Sequence, residues 1–316
     1  MTLTWLIGRG LLGNAVLRRA IPGQVWRGAS AIPWGDRADV EAWFQSAAAE
    51  FFEQSASQDW AVAWCAGTGV VGSSAATFEL EVAAFESLLA AVGRSADTPG
   101  TVFLASSIGA IHGGNVSLPL DEGSVRVPIS EYGVAKCAQE DLLSAWCRTT
   151  GHRGVIGRIT NLYGPGQHLG KAQGLVSQIC KSYLLRQPIV LYVSFETTRD
   201  YLFVDDAAEM VLSLLDGPPA GHDGLASIRI LGSGIAVTLG GVLQVCEKVL
   251  RRQNRVITVQ SALSNMQSPD LRVRPRMAIA LPGGPTSLPV GVRRTFDDQL
   301  RQFQRGMLQT SVVVGV

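Results

Sequence analysis

Charge is scarce in this chain of 316 residues, and what there is nearly cancels: 27 Lys and Arg face 26 Asp and Glu. A net charge of +1 offers no electrostatic hold on nucleic acid or on an anionic membrane. Cysteine is also sparse. Cys65, Cys137, Cys147, Cys180 and Cys246 form no C-x-x-C pair and are odd in number. They read as reduced, mostly buried thiols of a cytoplasmic protein, not as a disulfide framework. The four histidines, His112, His152, His168 and His222, lack ligand spacing, which argues against a metal centre. No apolar run is long enough to span a membrane, and the chain enters its first apolar strand without a basic or cleavable leader. Internal repeats and low-complexity tracts are missing too. What remains is a chain that is 47% hydrophobic and long enough to bury a large core.

The pattern that is present alternates strand and helix. Leu3–Ile7 is a short apolar run, followed at once by Gly8-Arg9-Gly10-Leu11-Leu12-Gly13 and a helical stretch, Asn14–Ala20. Strand, glycine turn and helix together make G-x-G-x-x-G a dinucleotide fingerprint. The first glycine permits the tight turn, the second lets backbone approach a pyrophosphate at the positive helix end, and the third lets helix and strand pack closely. Gln24–Arg27 and Ala31–Trp34 read as strands two and three, and Ala38–Phe52 as a helix by the spacing of Val40, Trp43, Phe44, Ala47 and Phe51. Strands are expected at Trp60–Cys65, Thr101–Ala105 and Val155–Ile159, and helices at Phe78–Val92 and from Tyr132 to about Cys147. This rhythm predicts an α/β fold with a doubly wound parallel sheet, its site at the carboxyl ends of the strands.

After Tyr163-Gly164-Pro165-Gly166 the rhythm changes. Helices are expected at Leu175–Leu185, through Leu215, at Leu239–Leu250 and near Thr295–Met307, with strands at Ile189–Tyr192 and Ser227–Leu231. The C-terminal part reads as too broken for an independent core, and so as a lid. The division expected is 1–165 with 199–234 for the nucleotide-binding domain, and 166–198 with 235–316 for the substrate-binding region.

One pair carries chemistry. Tyr132 and Lys136 stand four residues apart, which on a helix places them on one face. A phenol holds its proton to about pH 10, and a nearby ammonium is expected to pull that value down. Such a pair can move the hydroxyl proton of a carbinol or carbonyl and hold a cofactor ribose. Alone, Y-x-x-x-K is a common surface pattern; the glycine loop gives it weight.

Taken with Gly35-Asp36, Ala66-Gly67, Ser106-Ser107, the run from Arg158 to Gly166 and Arg199-Asp200-Tyr201, these motifs resemble the extended short-chain dehydrogenase/reductase superfamily, in its NAD(P)-dependent sugar-nucleotide epimerase/dehydratase branch. The likeness runs from Gly8 to about Gly232. It implies a Rossmann fold with a smaller C-terminal lid, and hydride transfer at a ring carbon, C4 above all, of a nucleotide-activated sugar. It implies Tyr132 as the proton-transfer residue and Lys136 on the nicotinamide ribose. Gly8, Arg9, Gly10, Leu11, Leu12, Gly13, Asp36, Ala66, Gly67 and Ser106 fall along the cofactor. Asn161, Leu175, Tyr192, Arg199 and Arg272 fall along the substrate, with Arg199 on its diphosphate. Dimerisation through a pair of helices that includes the Tyr132 helix is a habit of the family.

Three departures stand out. The glycine loop is one residue tighter than G-x-x-G-x-x-G. The hydroxyl usually found four residues before the tyrosine of a Y-G pair falls on Ile108, because His112 takes the tyrosine's place; Ser107 is the expected substitute, with Ser106 as the alternative. The Asp-Glu pair of the dehydratase subgroup is replaced by Gly109-Ala110. No carboxylate ends the second strand, where Arg27 stands instead, and Arg9 is a second cation in the glycine loop. The GDP-fucose synthase subgroup uses a loop arginine on a 2'-phosphate, so NADP is expected, with NAD as the alternative. The expected function is that of an NAD(P)-dependent epimerase or reductase. Two rivals remain: a redox-sensing or regulatory protein of the same fold with lost catalysis, and an enzyme for a plain carbonyl compound.

Overall fold

A computed structural model describes residues 2–28, 30–55, 58–67, 74–169, 174–216, 226–253, 255–259 and 268–307. His222 and the two residues that follow Ala66-Gly67, Thr68 and Gly69, lie outside them. The first half lays down β1 (Leu3–Ile7), α1 (Leu11–Arg19), β2 (Val25–Trp26), α2 (Arg37–Ser55), β3 (Trp60–Trp64), α3 (Ala75–Ser95), β4 (Thr101–Ser107), α4 (Ile108–Ile111), α5 (Glu131–Thr150) and β5 (Arg153–Ile159). The second half adds β6 (Asn161–Tyr163), α6 (Leu175–Leu185), β7 (Ile189–Leu191), β8 (Thr198–Phe203), α7 (Val204–Leu215), β9 (Ser227–Leu231), β10 (Ala236–Thr238), α8 (Leu239–Leu250), β11 (Val256–Thr258) and α9 (Leu288–Gln304).

Six strands form one parallel sheet in the order β2-β1-β3-β4-β5-β9. Its central strands are buried on both faces, so they read as unbroken apolar runs. Alternate side chains still serve different cores. In β3, Trp60, Val62 and Trp64 face α2, α3 and α5, where they meet Phe44, Phe51, Phe85 and Leu143. Ala61 and Ala63 face α1 and α7, beside Val16, Val211 and Leu214. This is the doubly wound arrangement expected.

Ala31–Trp34 is not a strand. Pro33 has no N–H to give a ladder, and the stretch leads straight into α2, whose first N–H groups are taken by Asp36. Nor is the C-terminal part coreless. α6, α8 and α9 close over a cluster of their own that holds Val176, Ile179, Leu191, Val242, Cys246 and Val292. The three-residue strands β6, β10 and β11 are too short to show a period in sequence. They form small side sheets, β10-β8-β6 and β11-β7.

Two long-range ties matter for the site. Residues 268–276 run as a strap, bridged at Thr198 to Asp270 and at Leu120 to Val273. Arg276 Nη2 meets Asp121 at 2.8 Å at the strap's end.

Candidate active site

The carboxyl end of β1 opens into the glycine turn. Gly8 has φ +96°, and a Cβ there would fall 2.3 Å from the Ala66 nitrogen. Gly13, inside α1, would drive a Cβ to 1.9 Å from the Gly8 oxygen. Both are glycine because backbone meets backbone. Gly10 differs. It is the N-cap of α1 with no side-chain cap, and a Cβ there would meet nothing within 4 Å among the described residues. Open space over the N-terminus of a nine-residue helix suits an anion, and Leu11, Leu12 and Gly13 supply that first turn. The residues present therefore fit a dinucleotide pyrophosphate.

A cleft of about 260 Å³ continues from this turn, lined by Trp34, Asp36, Trp64, Ala66, Gly67 and Glu81. Asp36 Oδ1 accepts from the N–H groups of Ala38 and Asp39. Arg9 donates from Nε to Asn14 Oδ1 at 2.9 Å, which holds it against the turn of its own helix. Arg27 follows β2 directly and is exposed.

α5 begins at Ser130, whose hydroxyl accepts from Gly133 N–H, and so presents Tyr132 and Lys136 in its first two turns. Gly133 is needed because a Cβ would fall 2.3 Å from the Ala110 oxygen. Tyr132 lies against Phe78 of α3, ring centroids 5.8 Å apart. Lys136 Nζ stands 5.8 Å from the Tyr132 ring centre and donates to the Ala105 carbonyl at 3.2 Å and to Gln139 Oε1 at 2.9 Å. Ser107, the last residue of β4, accepts from the Ala110 N–H at 3.4 Å and sets its hydroxyl near enough to the Tyr132 phenol to favour the phenolate.

The charge state differs from the sequence expectation. Burial pushes the Tyr132 phenol up to about 12; the Glu81 carboxylate adds to this, and the nearby Ser107 hydroxyl opposes it. Burial also lowers Lys136, although Glu81, Glu140 and Cys65 favour its ammonium. The lysine spends its hydrogen bonds on Ala105 and Gln139, so it holds the pair in place more than it acidifies the phenol.

The two serines part company. Ser106, expected along the cofactor, turns its hydroxyl to the opposite face of β4 and donates to Glu140 Oε1 at 2.8 Å. Ile108 is 1% exposed and packs with Leu120, Ile230, Leu271 and Val273. The hydroxyl beside Tyr132 therefore comes from Ser107, one position early, where the chain bends into α4.

Behind the site lies a network that sequence reading did not find. Arg158 of β5 and Glu140 of α5 form a two-pronged ion pair, Nε to Oε1 at 3.0 Å and Nη2 to Oε2 at 2.8 Å, each side chain 3% exposed. Arg158 Nη1 lies 3.2 Å from His112 Nε2, and His112 Nδ1 lies 2.8 Å from the Val125 carbonyl. Arginine can only donate, so Nε2 accepts, the proton sits on Nδ1 and the ring is neutral. Burial lowers the His112 pKa in the same sense. The available signal was Glu140, one helical turn past Lys136 and therefore on the same face.

A family model described as the NAD dependent epimerase/dehydratase family matches residues 8–226, more than half of the chain. The chain belongs to this family. Among curated relatives, dTDP-4-dehydro-6-deoxyglucose reductase of Escherichia coli is 26% identical over 152 residues, 48% of this chain and 46% of the relative. dTDP-L-rhamnose 4-epimerase of Burkholderia thailandensis is 34% identical over 35% of this chain and 30% of the relative. The chain thus spans less than half the length of these curated relatives. Solved structures match more broadly. UDP-glucose 4-epimerase of Thermotoga maritima, with UDP-glucose, has a TM-score of 0.78 at 20% identity, covering 96% of this chain and 100% of the other. RMD of Pseudomonas aeruginosa, complexed with NADPH, has a TM-score of 0.74 at 19% identity, covering 96% and 100%. At those identities the structures show a shared fold.

Within this epimerase/dehydratase frame the expected substrate residues divide. Arg199 is 7% exposed and donates to the Thr198 and Ser268 carbonyls, which ties β8 to the strap. Arg272, on the strap, pairs with Asp270 at 2.8 Å and is exposed. Asn161 is exposed on β6, and Tyr192 is half-buried after β7. Leu175 is 6% exposed and belongs to the core of the C-terminal lobe, so it supports the lobe and offers little surface to a ligand. Among the described residues no helix is long and apolar enough to cross a membrane.

Proposed function

We propose that this chain is an NAD(P)-dependent oxidoreductase or epimerase acting on a nucleotide-activated sugar, at a ring carbon that carries a hydroxyl or ketone. The observation that carries the reading is the Ser107–Tyr132–Lys136 arrangement, set at the carboxyl ends of the parallel strands beside the glycine turn. The relatives support the substrate class, since their names are those of a dTDP-sugar reductase and a dTDP-sugar epimerase.

The nicotinamide cofactor, when bound, exchanges a hydride with the sugar carbon. Gly8, Gly10, Gly13 and the first turn of α1 would hold its pyrophosphate, the cleft at Asp36, Ala66 and Gly67 its adenosine, and Lys136 a ribose. Tyr132 gives a proton to the sugar oxygen, or takes one from it. Ser107 steadies the charge on that oxygen and holds the phenol in line. Arg199, Arg272 and Asn161 would meet the nucleotide sugar, Asn161 and Arg199 from the strands β6 and β8 and Arg272 from the strap.

Two outcomes share this site: a reductase delivers one hydride and releases oxidised cofactor, whereas an epimerase removes a hydride and returns it with no net redox change, and Tyr132 would serve as the proton-transfer group in both. The test is a panel of dTDP- and UDP-linked hydroxy- and keto-sugars with NADPH, NADH and NAD+, read by nicotinamide absorbance and product NMR. Consumption of reduced cofactor by a keto-sugar supports the reductase. Interconversion without net absorbance change supports the epimerase, and inertness across the panel counts against both.

Arg27 and Arg9 favour NADP, because a guanidinium meets a phosphate with paired, charge-assisted hydrogen bonds. The double change Arg9→Ala with Arg27→Ala is expected to weaken NADPH binding more than NADH binding, by about 1.5–3 kcal/mol for each charged hydrogen bond removed. An unchanged preference in a titration would remove the NADP assignment.

A further inference from the structure

Ala31–Trp34, which is not a strand, ends in an aromatic ring that the core does not enclose. Trp34 is 44% exposed. Its backbone is set by Pro33, whose ring fixes φ, and by a bond from the Trp34 N–H to the Ile32 carbonyl at 3.0 Å. Its ring meets Trp64 with centroids 6.1 Å apart and planes at 73°, so Trp64 props it without lying flat over it. Trp64 is 1% exposed and is wedged in turn against Phe44 and Phe85. α3 brings a second apolar side chain to the same cleft, Leu80, which is 46% exposed. One exposed hydrophobic group means little. Here two line a single cleft, one from the entrance to α2 and one from α3, with Trp64, Ala66 and Gly67 at the end of β3 as its third wall.

We propose that Trp34 and Leu80 clamp the adenine ring of the cofactor, with the base stacked on Trp34, and that this stacking sets how tightly the adenosine half is held. The proposal rests on the nicotinamide-nucleotide reading above. At about 260 Å³ the cleft is smaller than the roughly 300–1,000 Å³ that a whole drug-sized ligand fills, so it takes one ring system of a dinucleotide and not the whole. It adjoins the glycine turn through Ala66, whose backbone meets that of Gly8, so a base held there stays connected to a pyrophosphate at the N-terminus of α1. Polar groups at its rim already have protein partners. Asp36 Oδ1 caps α2, Thr77 Oγ1 bonds Ser74 Oγ at 3.0 Å, and Arg37 turns to Glu86 at 3.7 Å. The main thing the cleft offers a base is therefore flat apolar surface, and an indole ring supplies that in one rigid piece.

The test needs no sugar substrate and no turnover. Binding is read by calorimetry and by quenching of tryptophan fluorescence, with ADP as the probe of the adenosine half and NADPH and NADH as whole cofactors. The parent is expected to bind ADP with quenching. Trp34→Ala is expected to lower affinity for ADP and for the dinucleotides about 10- to 100-fold, the usual worth of one stacked base, and to leave the melting temperature nearly unchanged. Trp34→Phe keeps a ring and is expected to recover most of that loss. Leu80→Ala is expected to weaken the same ligands to a smaller degree. Should Trp34→Ala fold poorly, Trp34→Leu, apolar but without a ring, is the second variant, with the same loss expected. Parental affinity for ADP in a folded variant without the ring would overturn the proposal, and so would a loss that Trp34→Phe does not recover. Dinucleotides that bind such a variant as tightly as the parent leave the cofactor reading standing while the clamp falls. A parent that binds neither NADPH nor NADH ends both.

Discussion

At the scale of single residues, the proposed chemistry turns on the hydroxyl beside Tyr132, which would carry charge on a substrate oxygen. Ser107 and Ser106 are neighbours on one strand and point to opposite faces, one to Tyr132 and one to Glu140. Ser107→Ala is expected to lower kcat about 100- to 1,000-fold, the usual cost of losing one such donor. Ser106→Ala is expected to spare kcat and cost stability, about 1 kcal/mol for a lost buried hydrogen bond. Steady-state kinetics and denaturant unfolding on both variants check this, and the reverse ranking would move the role to Ser106. The sequence showed that one of the two had to substitute for the position taken by Ile108, but not which, because strand facing depends on where β4 ends. It ends at Ser107, two residues beyond the expected Ala105. The charge state was less legible still. Tyr132 and Lys136 are four apart in any helix, yet Glu81 and the depth of burial come from α3, which only the fold brings near.

At the scale of elements, the glycine turn separates two jobs that a sequence motif merges. Gly13 serves the packing of α1 on the Gly8 backbone, and among the described residues nothing fills the space beside Gly10 at the helix N-terminus. Gly13→Ala is therefore expected to destabilise the fold, since backbone must move. Gly10→Ala is expected to leave the melting temperature nearly unchanged and to weaken cofactor binding at least about tenfold, or 1.4 kcal/mol. Calorimetry with and without cofactor checks both. Equal binding by Gly10→Ala would show that the open space is not where the pyrophosphate sits. Long elements with a clear period were legible: α6, β9 and α8 have the bounds expected. Ala31–Trp34 was misread because so short an apolar run, Ala31, Ile32 and Trp34, cannot distinguish a strand from a packed loop, and Pro33 should have weighed against it. The Glu140–Arg158 pair ties α5 to β5. Removing one partner would strand a buried charge, at a cost of about 3–5 kcal/mol.

At the scale of the whole molecule, two histidines make stability depend on pH. Burial lowers the pKa of His112 and of His152 from the ordinary 6.5. Protons then bind the unfolded chain first, so stability is full above 6.5 and falls as pH drops through the window beneath it. His112 has the added cost that its ring, once charged, faces the Arg158 guanidinium. Urea midpoints measured across this window are expected to fall less steeply for His112→Gln than for the parent, and equal slopes would place the proton elsewhere. That the sheet is parallel and doubly wound, and that a different part of the chain follows it, was foreseeable from the alternation and its break after Tyr163. That the lobe has a core of its own was not, because Val176, Cys246 and Val292 are far apart in sequence and meet only in the fold. In the proposed function the sheet and glycine turn would hold the cofactor, Arg199 and Arg272 would meet the substrate, and Tyr132 would be the residue through which both act.

The most direct measurement is therefore turnover by Tyr132→Phe, on whichever sugar nucleotide the panel identifies, beside a cofactor titration of the same protein. Loss of one hydroxyl leaves the ring against Phe78 and changes little volume. The expected result is a fall in kcat of about 100- to 10,000-fold with cofactor affinity unchanged. Near-parental kcat with intact cofactor binding would contradict Tyr132 as the proton-transfer group, and with it the proposed chemistry.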